Sequence, residues 1–163
     1  MSDAPAGAVV MRADIAGTVA FGVAMAIAVP LREERVAQVL IAAVSMVLFA
    51  IGIATALWAY TSALERSRTD EVGVAGLFLL TGTVAARPVR RVLTSCLAVQ
   101  VLVAIGGALV GVVGLGEGEL NALAFGVLVP MFGIGLNGLW ASRHGTFGPR
   151  QLRQARPSNR RID

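Results

Sequence analysis

The 163-residue chain contains no lysine, and cysteine and histidine occur once each, as Cys96 and His144. A single cysteine cannot form an intrachain disulfide, and one cysteine and one distant histidine cannot supply a zinc or haem site unaided. The sequence also lacks a phosphate-binding glycine loop with its lysine, a serine nucleophile elbow and a pair of carboxylates at catalytic spacing. These absences argue against an enzyme, and we expect no metal and no cofactor.

Charge is scarce as well. Only 15% of the residues are charged, 56% are hydrophobic, and the mean hydropathy is +0.74, which is too apolar for an ordinary soluble domain. All 14 basic residues are arginine, and alanine and glycine are abundant, as expected of GC-rich codon usage in a bacterium. The composition predicts an all-α integral protein of the bacterial plasma (inner) membrane.

Four apolar stretches are long enough to cross a bilayer core of about 30 Å as helices. We predict spans at about residues 13–30, 37–62, 92–115 and 121–142, which form a four-helix transmembrane domain over residues 1–142. The first stretch has an alternative interpretation as a cleaved secretory signal. Because Gly17 and Gly22 dilute its apolar region, a retained helix is the better interpretation.

The segment between the second and third spans is short. Its apolar part, residues 72–86, would reach only about 22 Å as a helix. Arginines flank it on both sides, so crossing the membrane would place one cluster outside, against the positive-inside bias. We therefore predict a surface segment over residues 70–86, as an interfacial helix in preference to a re-entrant loop.

Residues 143–163 carry six arginines and almost nothing apolar, and they are predicted to form a basic, disordered cytoplasmic tail. Twelve of the 14 arginines fall in the N-terminal segment, the 64–91 region and this tail, which predicts that both termini are cytoplasmic. We expect contacts with anionic lipid headgroups, for which the candidates are Arg87, Arg90, Arg91, Arg143, Arg150 and Arg153. Nucleic acid is not an expected partner, because Phe147 is the tail's only aromatic residue.

Small and polar residues recur every three or four positions on the last two spans, so each set lies on one helix face. These residues are Cys96, Gln100, Ala104, Gly107, Gly111 and Gly114 on the third span, and Gly126, Pro130, Gly133 and Asn137 on the fourth. If the two spans fold back on each other at the turn 116–120, two residues lie at the same depth when their numbers add up to about 235. We predict that the helices pack through glycine and alanine, and that Gln100 and Asn137 hydrogen-bond or share a water.

Pro130 and Asp14 each allow two interpretations. Pro130 removes a backbone hydrogen bond and leaves the carbonyl of Gly126 without its donor. A mild kink is favoured over a hinge or an exposed carbonyl facing a pathway. Asp14 is interpreted as the N-cap of a helix that begins at Ile15, with a buried ion or proton site as the alternative.

Two runs carry a resemblance to a known type of protein: AFGVLVPMFGIGLNGLWASRHGTFGPR at 124–150 and RSRTDEVGVAGLFLLTGTVAARPVRR at 66–91. They resemble small four-helix membrane proteins of actinobacterial type. The resemblance implies the same four-span layout, but it assigns no activity and no functional residues.

These features favour a non-catalytic accessory or scaffold subunit of a larger bacterial inner-membrane complex. Its glycine faces would pack helices, and its surface segment and basic tail would meet anionic lipids, other membrane subunits or a second copy. The alternative is a small oligomeric transporter or channel that uses Asp14, Gln100, Asn137 and the Pro130 kink. A lipid-modifying enzyme is the least favoured hypothesis.

Overall fold

The computed structural model describes residues 7–112 and 121–149, which form helices joined by short loops. The five α-helices are α1 (Ala8–Ala28), α2 (Arg35–Arg66), α3 (Val74–Leu79), α4 (Arg87–Val112) and α5 (Pro130–His144). A 3₁₀ helix, Ala122–Leu128, leads into α5. Four helical stretches are long and apolar enough to cross a membrane, namely α1, α2, α4 and residues Ala122–His144 taken together. The predicted all-α class with four long apolar helices is confirmed.

Two helices begin earlier than the sequence predicted. α1 begins at Ala8, and α4 begins at Arg87 and includes Pro88 in its first turn. The first backbone N–H groups of a helix have no partner within that helix, so proline is tolerated there at little cost. Arg12 is exposed on α1 and does not interrupt the helix.

The long helices alternate in direction. At one end of the bundle, Arg66 at the end of α2 bonds the carbonyls of Ser142 and Gly145 at the end of α5. At the other end, Asn121 donates to the carbonyl of Ala108 near the end of α4, at 3.1 Å. The start of α1 lies at the Arg66 end, because a Cβ atom at Gly7 would contact the ring of Trp140. The first and last described residues therefore lie at the same end of the bundle.

α5 is the central helix, and it contacts α1, α2, α3 and α4. In an apolar stretch of 18 residues within Ala122–His144, half of the residues are buried. In the corresponding stretches of the other three long helices, 22–28% of the residues are buried. Those three helices expose large apolar side chains along their outer faces. α1, α2 and α4 pack around α5, and their apolar outer faces suit an apolar environment.

The closest backbone contact lies between α2 and α5. A Cβ atom on Gly52 would lie 2.6 Å from backbone atoms of Met131 and Phe132. A Cβ atom on Gly135 would meet the carbonyl oxygen of Gly52 and the hydroxyl of Thr55. Glycine at these two positions lets the helix backbones touch, which is how small residues serve membrane helices.

The segment between α2 and α4 folds back onto the bundle. α3 packs against α5, and Leu77 and Leu80 are buried. The predicted disordered tail begins at Arg143, but Arg143 and His144 belong to the last turn of α5, and residues 146–149 pair with this segment. Thr146 donates its N–H to Val84 O at 3.0 Å and its hydroxyl to Thr83 O at 2.8 Å. The rest of the predicted tail lies outside the described residues.

Replacing Gly52 by alanine should destabilise the protein. The added methyl group meets backbone atoms of α5, which cannot rotate away, so we expect a loss of about 1–3 kcal/mol in the free energy of unfolding. Gly106→Ala is the matched control, because a Cβ atom there meets nothing within 4 Å. Alanine is the better helix former, so this control should be neutral or stabilising by up to about 1 kcal/mol. Reversible unfolding in mixed micelles measures both, and equal effects would contradict the close contact.

Candidate functional site

Gln100 on α4 is the centre of the buried polar groups inside the bundle, and it is fully buried. Its Nε2 donates to Thr18 Oγ1 at 2.8 Å and to Asp14 Oδ1 at 3.1 Å, both on α1. Its Oε1 accepts from the backbone N–H of Gly133 on α5 at 3.2 Å. One amide group therefore joins three helices. We call Asp14, Thr18, Gln100 and Gly133 the Gln100 network.

The N–H of Gly133 reaches Gln100 because the helix changes type just before it. In a continuous α-helix this N–H would bond the carbonyl of Val129, four residues earlier. Here that carbonyl accepts from Phe132 at 2.8 Å, in the i→i−3 pattern of a 3₁₀ turn. Pro130 occupies the first position of α5, where its missing N–H costs little. The break thus leaves one backbone donor for a side chain to bond.

The carbonyl of Gly126 does not lack a donor, so that prediction is wrong. It accepts from the N–H of Val129 at 3.0 Å, because the 3₁₀ helix pairs each residue with the third one before it. Pro130 lies at the junction of two helices and does not kink a single α-helix. The Gly126 carbonyl is therefore not left without a donor by Pro130.

The Gly133 N–H also decides which way the Gln100 amide points. A backbone N–H can bond only the amide oxygen, so the NH₂ group faces Asp14 and Thr18. An amide that coordinates a cation presents its oxygen, as in sites for hard cations. The network therefore presents donors to the carboxyl group, which suits a contact between helices better than a cation site.

Asp14 is fully buried in the second turn of α1. The predicted N-cap role is wrong, since the residue before the helix is Gly7, in the left-handed conformation with φ of 79°. The hydroxyl of Thr18 donates to the backbone carbonyl of Asp14 at 2.8 Å while accepting from Gln100. Asp14 Oδ2 is buried and has no hydrogen-bond partner among the described residues. Only one carboxyl oxygen is therefore bound within the network.

Asn137 lies one turn further along α5 and is also buried. Its Nδ2 donates to the carbonyl of Phe78, at the end of α3, at 3.2 Å. Its Oδ1 is buried without a hydrogen-bond partner in the described part of the chain. The predicted direct hydrogen bond between Gln100 and Asn137 is wrong, because each side chain bonds elsewhere. A water shared by the two side chains stays a prediction.

The error has a physical cause in the 3₁₀ helix. The predicted register assumed an α-helical rise of 1.5 Å per residue throughout, whereas a 3₁₀ helix rises about 2.0 Å. Over the seven residues Ala122–Leu128, this difference amounts to about 3.5 Å, or roughly two α-helical residues. A register in which residue numbers sum to about 235 puts Gln100 level with residue 135, and a difference of two residues moves that level to Gly133.

Gly107 and Gly126 both make room for a side chain of α1. A Cβ atom at Gly107 would lie 2.5 Å from the terminal methyl of Met25, and one at Gly126 would lie 2.9 Å from it. Because this methionine fills the space, the two glycines do not bring their helices into direct backbone contact. They allow α1 to insert a large apolar residue between α4 and the 3₁₀ helix.

Gly111 on α4 and Gly133 on α5 accommodate polar side chains. A Cβ atom at Gly111 would meet the side chain of Asn121, which begins the 3₁₀ helix and accepts from Ala124 N–H. A Cβ atom at Gly133 would lie 2.6 Å from Gln100 Oε1. The small face predicted for the fourth span is therefore needed for the network itself.

The arginines predicted to contact lipid separate into several environments. Arg87 and Arg90 line one cavity, and Arg90 Nη1 donates to Gly82 O at 2.9 Å. The Arg143 guanidinium lies 5.5 Å from the ring centroid of Trp58. Arg91 is exposed at the start of α4, and Arg150 and Arg153 lie outside the described residues.

Arg66 is a structural residue that the sequence did not single out. Its guanidinium donates to the carbonyls of Ser142 and Gly145 and to Asp70 Oδ2, at 3.0–3.2 Å, and it stacks over the ring of Phe147 at 5.2 Å. No sequence signal could have identified the two carbonyls, which lie 76 and 79 residues away. Thr18, by contrast, could have been predicted from the sequence as a neighbour of Asp14, since it lies one helical turn after that residue.

No group of three histidine, cysteine, aspartate or glutamate residues is placed to hold a metal ion within the described residues. Comparison with protein-family models, curated proteins and solved structures returns no match. The resemblance to small four-helix membrane proteins therefore stays a prediction. Function has to be argued from the geometry of the site.

The Gln100 network should show energetic coupling between α1 and α4. Gln100→Leu leaves the Gly133 N–H and Asp14 Oδ1 without partners, so we expect a loss of about 1–3 kcal/mol in stability. Asp14→Leu combined with Gln100→Leu should cost less than the sum of the two single changes, by about 0.6–2 kcal/mol. Unfolding of all four proteins in mixed micelles gives this coupling energy.

Gln38→Leu provides the control for the same cycle. Gln38 donates to the carbonyl of Arg32 in an exposed position, so its loss should change stability by less than about 0.5 kcal/mol. Strict additivity of Asp14→Leu and Gln100→Leu would show that the two side chains do not act together.

Proposed function

We propose that the chain is an integral protein of a bacterial inner membrane, with four spans and both termini in the cytoplasm. The distribution of arginine supports this topology. Seven of the nine arginines in the described residues lie near the end of the bundle that holds the start of α1 and the end of α5. Arg32 and Arg35 lie at the opposite end, so the positive-inside bias assigns the first end to the cytoplasm.

In this proposal, the segment between α2 and α4 enters the membrane shallowly from the cytoplasmic side. Asn137, which bonds the carbonyl of Phe78, lies seven residues or about 10 Å before the end of α5 at His144. Non-helical backbone survives at membrane depth only where protein satisfies its polar groups. The Asn137 contact and the burial of Leu77 and Leu80 favour a re-entrant segment over an interfacial helix.

Within that membrane, we propose a non-catalytic accessory or scaffold subunit of a larger complex. The observation that carries this proposal is the full use of the Gln100 amide. Its nitrogen and its oxygen both bond helices of the same chain, and the Gly133 N–H prevents the amide from turning its oxygen toward a passing cation. Such an interior holds a fixed shape and leaves the outer helix faces to make contacts.

The packing beyond the network supports the same conclusion. Phe21 and Met25 lie on the side of the network away from the chain ends, and the ring of Phe132 packs against Gly17, level with the network. Each of the three is at most 5% exposed. They belong to one apolar cluster with Ile41 and Leu48 of α2. A solute would have to displace this close-packed layer to cross the bundle.

The outer faces of α1, α2 and α4 are the surfaces available to lipids, to other membrane subunits or to a second copy. They present large apolar side chains with exposed fractions above one third, among them Val19 and Val23, Met46 and Leu57, and Leu102 and Leu109. Trp58 and Tyr60 are exposed on α2, as expected of residues that anchor a helix near an interface.

The alternative, a small oligomeric transporter or channel, has one observation in its favour. Asp14 is a fully buried carboxyl group with an unpartnered oxygen, and ionisable residues inside membranes commonly serve proton or ion movement. The adjacent helix break at Pro130 is also a feature of transporter sites.

Purification of the full chain from its native membrane in a mild detergent separates the two functions. We expect a second membrane protein to co-purify in a fixed ratio, as determined by quantitative mass spectrometry. Asp14→Asn should retain that ratio, because asparagine keeps the shape of the side chain and can still accept from Gln100. Gln38→Leu serves as the control for the effect of a substitution away from the network.

The contrary result is a protein isolated only with copies of itself that moves a solute or protons in liposomes. If Asp14→Asn abolishes that flux while the oligomer stays intact, the accessory function is wrong and the transporter is favoured.

A further inference from the structure

A cavity of about 600 Å³ lies where α4 begins, beside the last turn of α5. It is at the end of the bundle that carries most of the arginines, and it is separate from the Gln100 network. Its lining consists of residues 82–87 together with Arg90, Trp140, His144 and Thr146. Arg87, His144 and Thr146 are exposed, whereas Val84, Ala85 and Trp140 are buried. The cavity therefore has a polar rim and an apolar wall.

The charge around this cavity is of one sign. Arg87 and Arg90 line it, and no aspartate or glutamate does. The ion pair formed within the described residues is Arg66 with Asp70, so neither cavity arginine is neutralised by a carboxylate there. A guanidinium carries five N–H donors, and Arg90 donates one of them to the carbonyl of Gly82. The remaining donors suit an anionic group.

The backbone and the inner wall add to this preference. Residues 85–87 bring the N-terminus of the 26-residue helix α4 to the cavity, and a helix N-terminus favours negative charge. Trp140 is 5% exposed, and its Nε1 lies against Gly7 at the start of α1. Its ring lies 5.8 Å from that of His144. Trp140 thus offers an apolar face next to the cationic rim.

We infer that this cavity binds a phosphate group. Two arginines that can form paired hydrogen bonds match the oxygens of a phosphate, and the cavity volume admits the group together with a glycerol-sized substituent. The inference rests on the proposed membrane topology for its source: an anionic phospholipid whose headgroup lies at the cytoplasmic surface. Free phosphate shares the same chemistry, and the experiment distinguishes the two sources.

The fluorescence of Trp140 provides the readout. The chain contains two tryptophans, so Trp58→Phe leaves Trp140 as the only one. The full-length protein in mild detergent is titrated with phosphatidylglycerol, with phosphatidylcholine and with inorganic phosphate. We expect a saturable change with phosphatidylglycerol and none with phosphatidylcholine. A saturable change with inorganic phosphate that competes with the lipid also supports the site, with a free anion as its source.

Two variants test whether the cavity arginines bind the probe. Arg87→Gln with Arg90→Gln should raise the midpoint concentration for phosphatidylglycerol about tenfold or more, since both replace a charged phosphate contact by a neutral one. Arg143→Gln removes the same charge at the same end of the bundle but outside the cavity, and it should shift the midpoint less than about twofold. Arg87→Gln alone, at an exposed position, replaces the double variant if thermal unfolding shows that loss of the Arg90–Gly82 bond impairs folding.

Equal responses to phosphatidylglycerol and phosphatidylcholine would overturn the inference. An unchanged midpoint in the Arg87 variants, or an equal shift in Arg143→Gln, would overturn it as well. Alkaline extraction of membranes tests the proposed insertion independently. A chain that is released by this treatment yet binds phosphate through Arg87 would refute the membrane proposal and retain the site.

Discussion

The structure depends on the pairing of one backbone group, the N–H of Gly133. An apolar environment offers no water to a free N–H, so a break in a membrane-length helix requires a partner from within the protein. The change from the 3₁₀ helix to α5 at Pro130 leaves this N–H to Gln100. The same bond orients the Gln100 amide, so that its NH₂ group donates to Asp14 and Thr18. A local backbone feature therefore fixes a contact among three helices.

The central position of α5 follows from its glycines. Gly133 admits the Gln100 side chain, Gly135 admits the backbone of α2, and a Cβ atom on Gly138 would lie 2.7 Å from the ring of Phe78. Each glycine thus faces a different neighbour, and together they let the helix be surrounded on most sides. In the proposed membrane, where no hydrophobic driving force acts between helices, dispersion contacts between closely packed helices stabilise the bundle. The exposed apolar faces of the surrounding helices are left for the environment or for partners.

The sequence was sufficient for the features that depend on local composition. Apolar runs of sufficient length predicted four helices, and the small-residue periodicity on the last span identified Gly133 as a packing position. Features that depend on distant residues could not be predicted. The pairing of Gln100 with Asp14 joins residues 86 positions apart, and it required the register set by a 3₁₀ helix that has no clear sequence signal.

The helix ends show the same division. In the sequence, Arg66 is only a charge that flanks an apolar stretch. Its bonds to the end of α5 form only when α2 and α5 pack together. The sequence indicates an N-cap at Asp14, because this residue precedes an apolar run. In the structure, α1 begins six residues before Asp14, at Ala8. A polar residue beside an apolar run can begin a helix or be buried within one, and only its tertiary partners decide between the two.

The contact among α1, α4 and α5 depends on the bond between Gln100 and the Gly133 N–H. Hydrogen exchange of the Gly133 amide, resolved by NMR on the full chain in bicelles, tests it most directly. We expect this amide to exchange only on global unfolding in the native protein, and at least about tenfold faster in Gln100→Leu, while Gln38→Leu leaves it unchanged. Rapid exchange in the native protein, or protection that survives Gln100→Leu, would contradict the claim.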